Sequence, residues 1–145
     1  FGPDDFLDAV GVRNQAQAAT LVQRLLAEAT PLPVLITQIH RRVRELIVVR
    51  EHIDQGTKPQ DLVRELKVQP FRAQKLAEQA RTWQAPELDD SLFELYELDL
   101  LSKGIADDGS PRSLSEDRSE LALLGWLAEH VGRAGGTARP TATSR

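Results

Sequence analysis

The stretch that decides the fold reads Thr57-Lys-Pro-Gln-Asp-Leu-Val-Arg-Glu-Leu-Lys-Val-Gln-Pro-Phe-Arg-Ala-Gln-Lys-Leu76 and is followed downstream by Glu97-Leu-Asp-Leu-Leu-Ser-Lys-Gly104. Proline fits the first turn of a helix, because the amide donor that it lacks would have no partner there. We therefore predict two short helices in the first segment, which lead into one long apolar helix. Asp99 and Lys103 lie four residues apart near the end of that helix, the spacing of a helical ion pair.

The two short helices have clear starts and apolar sides. Thr57 and Gln60 have the spacing of a capping box, and Pro70 begins the second helix. Trp83 is expected to close the end of the second helix as an amphipathic plug. The apolar residues that we expect in the core are Leu62, Val63, Leu66, Phe71, Leu76, Ala77 and Ala80.

The long helix is predicted to begin at Pro86 and to end at Gly104. Its first turn is acidic, which suits the positive end of the helix dipole. It has two apolar faces, one of Leu88, Leu92 and Leu95 and one of Phe93, Tyr96 and Leu100. A helix that is apolar over much of its circumference is expected to be central.

Two further helices are predicted upstream. The first begins at a capping box of Asn14 and Gln17 and stops at Pro31. The second is capped by Thr30 and ends at about Gln55, before a left-handed Gly56. The apolar stripe of the first contains Ala16, Ala19, Val22, Leu25, Leu26 and Ala29. That of the second contains Leu35, Ile36, Ile39, Val43, Leu46, Ile47 and Ile53, and its polar side contains Arg41, Arg42, Arg44 and Glu45.

A last helix is predicted downstream of Gly104, after a polar loop over residues 105–112. Ser113 with Glu116 caps it, and its apolar residues are Leu121, Leu124, Leu127 and Val131. Residues 133–145 have too little apolar content to fold alone. The sequence therefore predicts an all-α fold, a bundle of six to seven helices over residues 1–132, with a flexible tail over residues 133–145.

Composition limits the class of protein. The 145 residues contain neither cysteine nor methionine and begin at Phe1, from which we expect one domain of a larger protein in a reducing compartment, by default the cytoplasm. No apolar run approaches the ~20 residues that span a bilayer, so we expect no membrane role. The net charge is −4, but residues 58–81 carry +3 and residues 87–121 carry −8. Such asymmetry suits contacts through opposite faces, although solvated helix surfaces produce it too.

The residues carry no catalytic signature. No phosphate-binding glycine loop and no nucleophile elbow is present, and His40, His52 and His130 lack the one-turn spacing of a helical zinc pair. We expect these histidines at the surface or its boundary. Adjacent carboxylates such as Asp89 and Asp90 point in different directions from a helix and make poor acid–base partners. The sequence thus predicts no enzyme activity, no catalytic residue, no cofactor and no metal.

The main alternative function is DNA binding through a helix-turn-helix at residues 57–81. Its second helix would present Arg72, Lys75 and Arg81 to DNA. However, the turn of this motif lacks glycine. The acidic segment that follows also offsets the net positive charge that a free-standing DNA-binding protein needs. A helical scaffold of unassigned role is a third possibility.

The ordered series of helices resembles the C-terminal domain of the delta subunit of bacterial DNA polymerase III, the clamp loader. No single motif is specific, and the resemblance over Phe6 to Val131 rests on their order. The matching segments are Phe6-Leu-Asp-Ala-Val10, the aliphatic and arginine-rich Leu35 to Arg50, Asp61 to Leu66, Pro70-Phe71, and Asp99 to Lys103. The acidic loop after Gly104 and the tail have no counterpart in the pattern.

The resemblance implies a function in DNA replication. In that family the domain is a helical collar that holds the delta subunit in a pentameric ring with the gamma/tau and delta prime subunits, while N-terminal domains absent from this chain grip the sliding clamp. The parent would be a subunit of the polymerase holoenzyme that does not hydrolyse ATP, with DNA bound by the assembled complex. Phe93, Tyr96 and Leu100 are the candidate subunit interface, and Arg72, Lys75 and Arg81 would face DNA under the alternative.

Overall fold

The computed structural model describes residues 3–105 and 115–132. The predicted Ser113 cap, most of the polar loop and the predicted flexible tail lie outside these residues. Within them the chain forms seven α-helices, a short π-helix and no β-strand, which confirms the all-α prediction. The helices are α1 (Pro3–Gly11), α2 (Gln15–Ala27), α3 (Leu32–Asp54), α4 (Pro59–Leu66), α5 (Pro70–Ala80), α6 (Ala85–Ser102) and α7 (Glu116–Trp126), and α7 continues into the π-helix (Leu127–Val131).

Helix α3 is the spine of the bundle, and α1, α5, α6 and α7 all pack against it. Arg50, near its end, has Nη1 3.4 Å from the carbonyl oxygen of Ala80 and 3.5 Å from that of Trp83, just before α6 begins. His40, near the start of α3, interacts electrostatically with Asp99 at the end of α6. The two longest helices are therefore antiparallel.

The core is largely aliphatic, with Phe6, Trp83 and Trp126 as its aromatic members, and lies around α3 and α6. Trp83 is buried as predicted, and its Nε1 donates to the carbonyl oxygen of Gly11 at 3.0 Å. Leu88 and Leu95 of the first predicted face of α6 are fully buried. The α3 residues in the core are Leu35, Ile36, Ile39, Val43, Leu46 and Val49. Among the described residues, no helix is long and apolar enough to cross a membrane.

Two predicted helix boundaries are confirmed, and a third is shifted by one residue. Asn14 caps α2, since its side chain accepts from the amide of Gln17 at 3.2 Å. Gly56 follows α3 with a φ of +90°, the left-handed region that glycine enters without strain. Helix α6 begins at Ala85, one residue before the predicted Pro86, because Gln84 and Glu87 form its capping box, with the Gln84 amide donating to Glu87 Oε1 at 2.7 Å.

Four other predictions at helix ends are wrong. Pro31 and Lys58 occupy the N-cap positions that were assigned to Thr30 and Thr57, because a proline in each first turn already removes an amide that needs a partner. Ala29 has a φ of 71° and lies outside α2, so it does not extend the apolar stripe. At the last helix Ser115 is the cap, accepting from the amide of Arg118 at 3.2 Å.

Burial corrects four predictions for single residues. Phe71 and Leu121, predicted to be apolar contacts of their helices, are 74% and 67% exposed. His130 was expected at the surface or its boundary but is 3% exposed. Arg42 was placed on the polar side of α3 but is 1% exposed. Helical spacing alone does not show which side of a helix is covered by the other helices of the bundle.

Candidate functional site

The outer side of α6 presents an exposed apolar stripe. Phe93 and Tyr96 are 65% and 52% exposed, and Leu100 is half-buried. Their spacing of three and four residues places them in one row, which we call the α6 aromatic face. Large exposed aromatic side chains in a row are typical of protein–protein contact sites. The second predicted face of α6 therefore lies outside the core.

The opposite side of α6 is firmly anchored. Leu88 and Leu95 are fully buried, and Trp126 of α7 donates from Nε1 to the carbonyl oxygen of Ser91 at 3.0 Å. The hydroxyl of Ser91 in turn donates to the carbonyl oxygen of Leu88 at 2.9 Å. The α6 aromatic face is therefore presented on a rigid element rather than on a loop.

Arg13 joins three parts of the chain from the turn between α1 and α2. Its Nη1 donates to the Thr82 carbonyl oxygen and to Glu87 Oε1, both at 2.9 Å, and its Nη2 donates to the His130 carbonyl oxygen at 2.7 Å. The guanidinium also stacks on Trp83, 4.1 Å from the ring centroid. The start of α6 and the π-helix are thereby held together, although no sequence motif marked Arg13.

Asp8 joins α1 to α3 and α5 in a charged cluster. Its Oδ1 accepts from Arg42 Nη1 at 2.9 Å and from Gln79 Nε2 at 3.0 Å, and its Oδ2 accepts from Lys75 at 3.1 Å. Arg42 Nη1 also donates to Gln79 Oε1 at 3.1 Å. A Cβ at Gly11 would overlap the Gln79 amide, so glycine is needed where α1 approaches α5. The cluster fixes the relative positions of the three helices.

Acidification is expected to weaken this cluster. Burial alone would raise the pKa of Asp8, but hydrogen bonds from Arg42, Lys75 and Gln79 outweigh it and hold the pKa below its usual 3.8. The ionised carboxylate therefore stabilises the fold fully above pH 3.8, and this contribution is lost as the pH falls through the lowered pKa. We expect Asp8→Asn to be less stable than wild type at neutral pH and the difference to shrink in acid.

Denaturant unfolding of both proteins from about pH 7 to about pH 2.5 measures this difference. The two stability curves should converge below the lowered pKa, where the protonated Asp8 resembles asparagine. A separation that stays constant across the series would contradict the assigned role of the carboxylate.

The residues predicted to face DNA are mostly engaged within the protein. Arg72 Nη2 lies 2.7 Å from Glu45 Oε2 on α3, and Lys75 binds Asp8 on α1. Arg81 alone of the three is exposed and has no ion pair with a described residue. Helices α4 and α5 do form a helix–turn–helix, with Lys67 in the left-handed conformation at φ 57°. Sequence reasoning missed the ion pairs because the acids lie on other helices.

His130 forms a second contact between α6 and the C-terminal segment. Its Nε2 lies 2.9 Å from Glu94 Oε1, and its ring packs 5.4 Å from that of Trp126. Glu94, Glu129 and His130 could hold a metal ion, since one ligand atom of each lies within 4.8 Å of the others. The contact between Glu94 and His130 already joins two helices, and we assign the group this structural role.

The chain matches a family model and resembles a solved structure. The family model for the DNA polymerase III delta subunit, C-terminal domain, matches residues 5–109. The solved structure of a DNA clamp loader delta protein from Bacillus subtilis is similar, with a TM-score of 0.69 and 20% sequence identity. The match covers 88% of this chain and 35% of that one, and at this identity it shows the fold alone. No curated protein sequence matches the chain.

Proposed function

The chain belongs to the family formed by the C-terminal domain of the DNA polymerase III delta protein, and on this premise we propose that it is a collar that tethers a delta subunit within the clamp loader ring. The family supports a role in DNA replication with other clamp loader subunits as partners. We propose the gamma/tau and delta prime subunits as the neighbours, with no catalytic step assigned to these residues. We also propose the cytoplasm as the location of the assembled ring.

The α6 aromatic face is the observation that carries the proposal. A tether needs a rigid apolar contact surface and no reactive group. Phe93 and Tyr96 provide such a surface, because they are more than half exposed on a helix whose other side is buried. Aromatic side chains of this kind dominate the binding energy of many protein interfaces.

The helix-turn-helix alternative has less support. A recognition helix needs side chains that are free to reach phosphates and base edges. On α5, Arg72 and Lys75 are instead bound to Glu45 and Asp8. Binding through α5 would require these ion pairs to break.

The double substitution Phe93→Ser/Tyr96→Ser is expected to weaken association with the neighbouring subunits. Loss of two central aromatic contacts should raise the Kd by about 30-fold or more, equivalent to ~2 kcal/mol. Stability should change by no more than about 0.5 kcal/mol, because both side chains are largely exposed. The measurement is size-exclusion chromatography with light scattering, together with a binding titration against purified gamma and delta prime subunits.

Phe71→Ser is the matched control, since Phe71 is a 74% exposed aromatic residue on α5. It should leave the Kd unchanged. If the double variant and wild type bind with equal Kd, the α6 aromatic face is not part of the subunit interface. A wild-type chain that forms no complex, but binds duplex DNA with a steep salt dependence, would favour the helix-turn-helix alternative.

A further inference from the structure

A second surface of the bundle is an apolar groove along α3. It has a volume of about 310 Å³ and lies between α3 and the α4–α5 hairpin. We call it the α3 groove, and its aliphatic lining consists of Val48 and Val49 of α3, Leu66 and Val68 beside the α4–α5 turn, and Leu76 of α5. Arg41, Arg44 and Glu45 complete it. These lining residues belong to α3, to α5 and to the end of α4 with its turn, whereas the α6 aromatic face lies on α6.

The α3 groove has a surplus of positive charge. Its acid, Glu45, is already bound by Arg72 at 2.7 Å and lies 3.3 Å from Arg42. Arg41 and Arg44 are exposed, and neither forms an ion pair within residues 3–105 and 115–132. The positive charge of Arg44 also disfavours protonation of His40. The pKa of His40 is lowered chiefly by burial and then by this charge. Two unpaired cations beside aliphatic side chains favour a ligand that is both apolar and acidic.

We propose that the α3 groove receives an acidic amphipathic helix of a neighbouring subunit. Such a helix would insert apolar side chains spaced three and four residues apart and direct carboxylates at Arg41 and Arg44. Single-stranded nucleic acid fits the groove less well, because its lining contains no aromatic side chain on which bases could stack.

This inference rests on the proposed function. A subunit within a ring meets its two neighbours through two different surfaces, because each contact is heterologous. The α6 aromatic face supplies one such surface, and the α3 groove supplies the other.

The test places the photo-crosslinking residue p-benzoylphenylalanine at position 48, since Val48 lines the groove and is 42% exposed. The labelled chain is mixed with purified gamma and delta prime subunits, irradiated, and analysed by mass spectrometry. The expected product joins position 48 to a partner helix with apolar residues at helical spacing and flanking acids. Arg41→Glu/Arg44→Glu should reduce this product at least about tenfold and weaken the salt dependence of association.

Position 12 is the control, because Val12 is 51% exposed and lies outside the α3 groove. It should not yield the same product. A complex that forms normally while position 48 links to a second copy, to added DNA or to nothing would overturn the groove inference and leave the tether intact. If wild type forms no complex, both proposals fail.

Discussion

Arg42→Ala is expected to lower the free energy of unfolding by about 3 kcal/mol. The guanidinium is 1% exposed and donates to Asp8 at 2.9 Å and to Gln79 at 3.1 Å. Its removal leaves Gln79 Oε1 without this donor, while Gln79 Nε2 still donates to Asp8, and it opens a cavity between α1, α3 and α5. Asp8 and Glu45 retain other cations and some exposure to water, which places the cost near the low end for a broken buried ion pair.

Denaturant unfolding measures this loss, and Arg41→Ala is the matched control on the same helix. Arg41 is exposed and without an ion pair to a described residue, so its replacement should change stability by less than about 0.5 kcal/mol. A double-mutant cycle with Asp8→Ala should give a coupling energy of about 1.5–3 kcal/mol. A loss below about 1 kcal/mol for Arg42→Ala would show that the cluster does not hold the three helices together.

Arg13→Ala is expected to cost about 3–5 kcal/mol. It removes three charge-assisted hydrogen bonds and the stacking on Trp83, and it leaves the His130 carbonyl group without this partner. Arg13 connects the start of α6 to the end of the π-helix, so its loss should also loosen the anchored side of α6. Hydrogen exchange at amides of α6 and α7 would report that loosening separately from global unfolding.

Two further variants separate the causes of the Arg13 effect. Arg13→Lys keeps the charge but has no planar fork for several acceptors, so its loss should be intermediate. Arg13→Gly should be more stable than Arg13→Ala by about 1 kcal/mol, because the backbone φ of 64° favours glycine. Arg81→Ala, an exposed control, should have little effect. Stability equal to wild type in Arg13→Ala would refute the connecting role.

Much of the helical architecture could be predicted from local sequence. The positions of Pro59 and Pro70, the cap at Asn14 and the left-handed Gly56 are all confirmed. These features depend on backbone geometry within a few residues, so the partners are visible in the sequence itself. Burial was less predictable: Ile39, Val43 and Leu46 are core residues as expected, yet Arg42 lies buried between them. Arg42 lies three residues after Ile39 and four before Leu46, and this position on the apolar stripe could have indicated that its side chain is buried.

The candidate site was only partly predictable, because burial depends on how the helices pack together. The row of Phe93, Tyr96 and Leu100 followed from helical spacing, but that spacing did not decide between core and surface. The α3 groove was not foreseen, because it forms where α3 meets residues of the α4–α5 hairpin. Its cations Arg41 and Arg44, which pair with no acid among residues 3–105 and 115–132, could be distinguished from the paired Arg72 only after the helices were placed together.

By itself, then, the sequence determined the all-α class, several helix boundaries and the resemblance to the delta family, because turns, caps and apolar periodicity act over a few residues. Only the tertiary structure decided which charged side chains are buried and which apolar ones are exposed. Arg42 meets Asp8 across 34 positions, and Arg13 meets the carbonyl group of His130 across 117. A polar side chain can be buried only where such a partner compensates its lost hydration, and that partner is supplied by the packing of distant helices.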